Sequence, residues 1–150
     1  MVRLLGGEKF QKPESQYLFV MSETTLKKLA EELANKLASA VVRVVGEPEM
    51  KVTKASFSTG AAGFQRETQA LERDDVQALL VGETREWETV EYAADAVTQG
   101  RNKALIVIGH VPSEQGGMEE CTRWLKGFVK RVPVEFVATK GPFWTVSQKR

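Results

Sequence analysis

Two residues in the second half of the chain carry side chains that can bind metal ions. His110 is the single histidine of the 150 residues, and Glu114 follows it by four positions. A neutral imidazole and a carboxylate are ligands that suit zinc, iron or manganese. Because zinc usually takes three or four protein ligands, this pair alone makes an incomplete site. The spacing leaves a second interpretation open, in which His110 ends a strand and Glu114 is a first-turn carboxylate stabilised by the helix dipole.

The sequence around this pair predicts a strand that turns directly into a helix. Residues 104–108 are apolar without interruption, which is enough for one buried strand. Gly109 ends that run, and Ser113 and Glu114 follow as the entry to a helix. Open α/β sheets gather ligands at the carboxyl ends of their strands. His110 is therefore predicted at the kind of sheet edge where α/β proteins build their sites.

Two other predicted strands, residues 52–58 and 76–81, end in residues that suit such an edge. The first leads into the loop TGAAG at 59–63, and the second leads into Gly82–Glu83. If these strands and 104–108 are parallel neighbours, their three carboxyl ends meet at one rim. The candidate residues of this rim, beside the metal-ligating pair, are Gly60, Gly63, Glu83 and Ser113.

The loop at 59–63 also has an interpretation of its own. Because it precedes a predicted helix at 64–71, its backbone N–H groups can approach an anion at the helix N-terminus. Its pattern matches neither the P-loop nor the dinucleotide fingerprint. A tight turn is therefore favoured, and an anion or nucleotide binder is the weaker alternative.

The remaining reactive side chains have less support. Cys121 lies on the predicted apolar face of a helix at 117–129, which favours a buried core thiol. Ser113 is close to His110 in the sequence, but no nucleophile-elbow motif surrounds it. No residue is therefore assigned a catalytic role. Packing is favoured over a ligand pocket for the tryptophans at positions 87, 124 and 144.

Strand and helix patterns alternate through most of the chain, which indicates an α/β fold with helices covering both sides of a mixed β-sheet. A single domain is predicted at 17–146, with a leader or edge segment at 1–16 and a tail at 147–150. The short turn at 46–49 further predicts that the strands on either side of it pair antiparallel. The predicted strands are 17–21, 41–45, 52–58, 76–81, 104–108 and 134–138, and the predicted helices are 26–37, 64–71, 86–99 and 117–129.

Composition narrows the functional classes. Hydrophobic residues make up 42% and charged residues 27%, which is typical of a soluble globular protein. Lys and Arg number 21 against 20 Asp and Glu, so the net charge of +1 gives no electrostatic reason to expect nucleic acid. Neither a membrane-spanning run nor a signal-peptide pattern is visible. With one cysteine, Cys121, no intrachain disulfide can form, and a cytoplasmic location is expected.

The order of segments resembles the C-terminal half of the Nif-three-like family over about residues 17–146. Bacterial members of that family are labelled GTP cyclohydrolase I type 2 homologues. The resemblance is carried by the segments TTLKKLAEELANKL, DVQALLVGE, GETREWETVEYAADAVTQG, LIVIGHVPSE, PVEFV and PFWTV. Its most specific part is a G-H-x-x-S-E pattern, which falls on Gly109, His110, Ser113 and Glu114.

The resemblance implies the family's mixed-sheet α/β sandwich and a hydrolase-like protein that binds a pair of divalent metal ions. By this likeness His110 and Glu114 would be metal ligands, with zinc, iron, manganese or magnesium as the metal. The family's paired-histidine motif and a later aspartate are absent from these 150 residues. We therefore expect an incomplete site: the chain is a fragment, a split half completed by a partner segment, or a divergent domain that has lost its metals.

Family members commonly form ring-shaped assemblies with metal sites facing an internal cavity. This property implies a homo-oligomer. The alternative function is a non-catalytic, oligomerising interaction module without bound metal.

Overall fold

The computed structural model describes residues 18–37, 41–139 and 143–144. The predicted leader at 1–16 and tail at 147–150 lie outside the described residues. A π-helical turn at Glu86–Val90 directly precedes the third α-helix. In chain order the elements are β1 Leu18–Thr25, α1 Leu26–Lys36, β2 Arg43–Val45, β3 Lys51–Ser58, α2 Phe64–Glu72, β4 Ala78–Val81, α3 Glu91–Thr98, β5 Ala104–Val107 and α4 His110–Phe128.

The five strands form one mixed sheet in the order β1-β3-β4-β5-β2. The three central strands are parallel, and β1 and β2 pair antiparallel at the two edges. Helices cover the sheet on both sides, so the predicted α/β class with a mixed sheet is confirmed. The sheet also brings the carboxyl ends of β3, β4 and β5 together as neighbours.

The predicted antiparallel pairing of the strands around the 46–49 turn is wrong. β2 pairs with β5, with Val44 opposite Ile106, whereas β3 pairs with β1 and β4. The connection passes the start of β5, where a side chain at Gly46 would lie 2.9 Å from the Ala104 Cβ. A short connection fixes how far apart two strand ends lie, but it does not require the two strands to be hydrogen-bonded.

Hydrophobic residues alternate between two cores, one on each side of the central strands. On one side Leu29 and Leu33 of α1 pack over Leu80 and Ile106. On the other side Leu71 of α2 and Ala93 of α3 pack over Leu79, Val81, Leu105 and Val107. All four residues of β4 and all four of β5 are buried, which is why these strands appear as continuous apolar runs.

The helix predicted at 86–99 differs from the structure in its first turn. Residues 86–90 form the π-helical turn, whose additional residue rotates the side chains that follow. Thr89, Ala93 and Ala96 consequently face the core, and Trp87 is 75% exposed instead of packed. The predicted end of this helix at residue 99 agrees with α3, which ends at Thr98 and is followed by Gly100 with a φ of +74° and an N–H that donates to the Val97 carbonyl.

The last helix and the segment after it also differ from the prediction. α4 begins at His110, beside the helix entry predicted at Ser113 and Glu114 but seven residues before the helix range predicted at 117–129, and Ser113 is its one buried residue. Cys121 is only half-buried, so the predicted core thiol is wrong. No strand is assigned at 134–138 within the described stretch 129–139, because none of the described strands pairs with it. None of the helices in the described residues combines the length and apolar character needed to cross a membrane.

Candidate functional site

The carboxyl ends of β3, β4 and β5 converge at one rim, because the three strands are parallel neighbours, the condition on which this rim was predicted. The residue pairs Ser58–Val81 and Val81–Val107 are in register across the parallel strands. Hydrogen bonding continues beyond the strands, because the Gly82 N–H donates to the Ser58 carbonyl and the Gly109 N–H donates to the Gly82 carbonyl. This continuation holds the three loops in contact with one another.

His110 lies at this rim as the first residue of α4. It follows Gly109, whose φ of +93° is a conformation that favours glycine and lets the chain leave β5 abruptly. The imidazole Nδ1 lies 3.3 Å from a Glu83 carboxylate oxygen, and Nε2 lies 3.1 Å from a Glu114 carboxylate oxygen. The structure therefore brings all three predicted side chains together, with one carboxylate on each ring nitrogen.

The two carboxylates favour the charged form of the imidazole. The hydrogen bond from the imidazole to Glu83 is the largest cause that raises the pKa of His110, and the charges of Glu114 and Glu83 act in the same direction. Partial desolvation opposes them by lowering the same pKa. All three side chains are about half exposed, so solvent screens their interactions and a metal ion can reach them.

Ser113 connects the helix to the neighbouring loop. Its hydroxyl donates to the His110 carbonyl at 2.7 Å and accepts from the Gly60 N–H at 2.9 Å. The hydroxyl is thus engaged with the backbone, while both nitrogens of the imidazole face carboxylates. The contacts support a role for Ser113 in holding the rim together, and they provide no base that would activate it as a nucleophile.

Two glycines permit this close approach. A Cβ on Gly60 would lie 2.4 Å from a Glu114 carboxylate oxygen, and a Cβ on Gly82 would lie 2.4 Å from the Gly60 carbonyl. Gly60 therefore belongs to the rim. Gly63 does not adjoin the cluster, because a Cβ added there would meet nothing within 4 Å. The Gly60 amide is already used by Ser113, and a carboxylate packs against this glycine, which disfavours anion binding at that point of the loop.

A buried carboxylate near the rim was not predicted. Glu67 of α2 is fully buried, and its Oε2 accepts hydrogen bonds from the hydroxyls of Thr84 and Thr89. The helical spacing contained one signal, because Glu67 precedes the buried Leu71 by four residues and so shares its face. The two threonines lie 17 and 22 residues further along the chain, where no local pattern relates them to Glu67.

The side chains of this cluster are of the types that bind divalent cations, but they are too few to complete a metal site. His110 and Glu114 offer one imidazole nitrogen and one carboxylate on the same side of the ring, a combination that suits zinc, iron or manganese. Glu83 contacts the opposite nitrogen and so faces away from that pair of atoms. Within residues 18–37, 41–139 and 143–144, no group of three His, Cys, Asp or Glu side chains is arranged to hold a metal ion.

Fold and rim together define an α/β protein with a histidine–carboxylate cluster at the ends of three parallel strands. The model of the family Duf34/NIF3 (NGG1p interacting factor 3) matches residues 3–142. The chain therefore belongs to the Duf34/NIF3 family, and the resemblance seen in the sequence is confirmed. A comparison with curated proteins gives no match.

Solved structures share the fold at low sequence identity. Protein ybgI, of unknown function, is 22% identical with a TM-score of 0.71 over 95% of this chain and 55% of its own. The Staphylococcus aureus hypothetical protein SA1388 is 22% identical, with a TM-score of 0.67 over 86% of this chain and 42% of its own. A Bacillus cereus protein related to NIF3 has the same identity, with a TM-score of 0.65 over 86% and 35%. The chain thus spans between about a third and just over half of these relatives.

Proposed function

We propose that this chain supplies half of a divalent-metal site in a hydrolase-like protein of the Duf34/NIF3 family. The His110 Nε2 and the Glu114 carboxylate are the proposed ligands, and Glu83 holds the imidazole from its other side. The observation that carries the proposal is the imidazole with a carboxylate on each ring nitrogen, at the convergence of three parallel strands. Binding sites of open α/β sheets lie at such strand ends.

The position of Glu83 gives it a definite task. With a metal ion on Nε2, the remaining ring proton would lie on Nδ1, where the Glu83 carboxylate accepts the hydrogen bond and fixes the orientation of the ring. Glu114 then presents its carboxylate from the next turn of the same helix. A bound divalent ion would lower the pKa of a water molecule and stabilise developing negative charge, which is the chemistry of metal-assisted hydrolysis.

The proposed site needs further ligands from outside this cluster. Two side chains are fewer than the three or four that usually hold a catalytic zinc ion. We propose that a partner segment or a second copy of the chain supplies the rest, in a homo-oligomer or a longer assembly. The span of the chain, 35–55% of the solved relatives, is consistent with this division of the site.

Metal affinity of purified variants tests the assignment. We expect Zn²⁺ or Mn²⁺ to bind the wild-type chain and the binding to be lost in His110→Ala and in Glu114→Ala. Glu31→Gln removes an exposed carboxylate from α1, whose first residues hydrogen-bond to Pro48 and Met50 just before β3, and serves as the matched control. Isothermal titration with metal content by mass spectrometry gives both affinity and stoichiometry. Stoichiometric metal that survives both substitutions at the rim would overturn the assignment.

The alternative is a non-catalytic interaction module that assembles without metal. The exposed apolar residues of α4 favour it, since Trp124 and Phe128 form an edge-to-face pair at 4.6 Å and are 64% and 56% exposed. Light scattering with and without a chelator separates the two functions. An oligomer that keeps its mass on chelation, in a protein that binds no metal, supports the module; dissociation on chelation contradicts it.

A further inference from the structure

Glu67 is a buried carboxylate that the proposed metal site does not use directly. Its side chain is 0% exposed, although it lies only four residues into α2. Oε2 accepts from the hydroxyls of Thr84 and Thr89, both at 2.5 Å. Oε1 is also buried and has no hydrogen-bond partner among the described residues. Burying a carboxylate on these terms costs free energy, so its presence requires an explanation other than stability.

The two hydroxyls lie at either end of the connection between β4 and α3. Thr84 directly follows Glu83, and Thr89 lies in the π-helical turn that leads into α3. One carboxylate oxygen therefore ties both ends of this connection to α2. The Glu83 backbone is held from its other side as well, because its N–H donates to the Gly60 carbonyl at 2.9 Å.

We propose that Glu67 is a positioning residue for the candidate metal site. Through Thr84 it fixes the backbone beside Glu83, so that the Glu83 carboxylate meets the His110 Nδ1. The His110 Nε2 is then left to face Glu114. The inference rests on the proposed function, in which Nε2 is the ligand atom, and it adds a chain of contacts from the core of the domain to that atom.

A pair of isosteric substitutions separates positioning from simple stability. Thr84→Val and Thr89→Val each remove one hydroxyl from the same carboxylate oxygen, but only Thr84 adjoins Glu83. Because His110 is the sole histidine, its ring ¹⁵N resonances in chelator-treated protein, at a pH high enough for the ring to be neutral, report the tautomer without overlap. We expect Thr84→Val to reduce the tautomer that is protonated at Nδ1 and Thr89→Val to leave it close to wild type.

The same variants should differ in metal affinity. We expect Thr84→Val to weaken Zn²⁺ binding by about tenfold. This is the lower end of the loss in metal affinity that follows when a metal ligand loses its hydrogen-bond partner. Thr89→Val should weaken it less. Equal changes in the two variants, or an unchanged tautomer in Thr84→Val, would overturn the positioning role.

Glu67→Leu provides a second, independent variant. An apolar residue of similar size removes the buried charge, so we expect the unfolding midpoint to stay near or above that of the wild type. The Nδ1-protonated tautomer should nevertheless decrease, which a purely structural role would not produce. If the wild type binds no metal, the proposed function fails while the tautomer comparison still decides the positioning role. If it binds metal and neither Glu67→Leu nor Thr84→Val alters the tautomer, only the positioning role fails.

Discussion

One imidazole with two carboxylate neighbours forms the candidate site of this domain. The arrangement is asymmetric, because Glu114 lies on the same helix as His110 whereas Glu83 comes from the end of a different strand. A carboxylate on each ring nitrogen stabilises the imidazolium when no metal is present. In the proposed metal-bound state, the same Glu83 contact would orient the neutral ring. Nε2 carries a proton in the imidazolium, whereas it would bind the metal ion through its lone pair, so protons and metal ions should compete for it.

The pKa of His110 is predicted to lie above its ordinary value of 6.5 in chelator-treated protein. The stabilisation from the two carboxylates is present at low pH and is lost as pH rises through this raised pKa. Metal affinity should therefore increase with pH over the same interval, because the metal needs the neutral ring. Titration of the single histidine by NMR measures the pKa directly.

Glu83→Gln is the informative variant for this titration. It removes the largest cause of the shift, so the pKa should move back towards 6.5. Glu31→Gln, on the exposed face of α1, should leave the pKa at the wild-type value. A wild-type pKa at or below 6.5, or an unchanged pKa in Glu83→Gln, would contradict the geometry described for the rim.

At the scale of elements, the site depends on the close approach of three loops, at a point where glycine contributes no side chain. Gly82 is the tightest point, because an added Cβ would lie 2.4 Å from the Gly60 carbonyl and 2.6 Å from the Ser113 hydroxyl. Backbone atoms cannot move aside as a flexible side chain can. The convergence of β3, β4 and β5 therefore requires glycine at this position.

Alanine at two glycines should have opposite effects on stability. Gly82→Ala introduces the clash at the rim, and we expect a loss of about 1–3 kcal/mol in the free energy of unfolding. Gly117→Ala lies within α4, where an added Cβ meets nothing within 4 Å, and we expect a gain of about 0.5–1 kcal/mol from the helix preference. Denaturant unfolding measures both. Equal stability of the two variants would contradict the close packing of the three loops.

Much of the sheet and of the rim could be predicted because it depends on residues close together in the sequence. The apolar runs of β4 and β5 indicated strands buried on both sides, and Gly82 and Gly109 marked where they end. Ser113 and Glu114 indicated the entry to α4, and Pro112 is tolerated in a first turn, whereas the helix range predicted at 117–129 begins seven residues too late. The pairing of β2 with β5 and the hydrogen bonds of Glu67 join distant parts of the chain, so no local sequence pattern could predict them.

At the scale of the whole molecule, the rim is half of the proposed site. The described residues bring one histidine and two glutamates together, while the fold matches only 35–55% of each solved relative. The exposed apolar residues of α4 are consistent with contact to another polypeptide.

Paramagnetic mapping with Mn²⁺ tests this central claim most directly, since it detects an ion even at a weak, incomplete site. We predict that low Mn²⁺ concentrations selectively broaden the backbone amide resonances of Gly60, Glu83 and His110, one from each converging loop. The broadening should disappear in His110→Ala and in Glu114→Ala and persist in Glu31→Gln. Broadening that is centred elsewhere, or that is unchanged in both rim variants, would contradict a metal site at these strand ends.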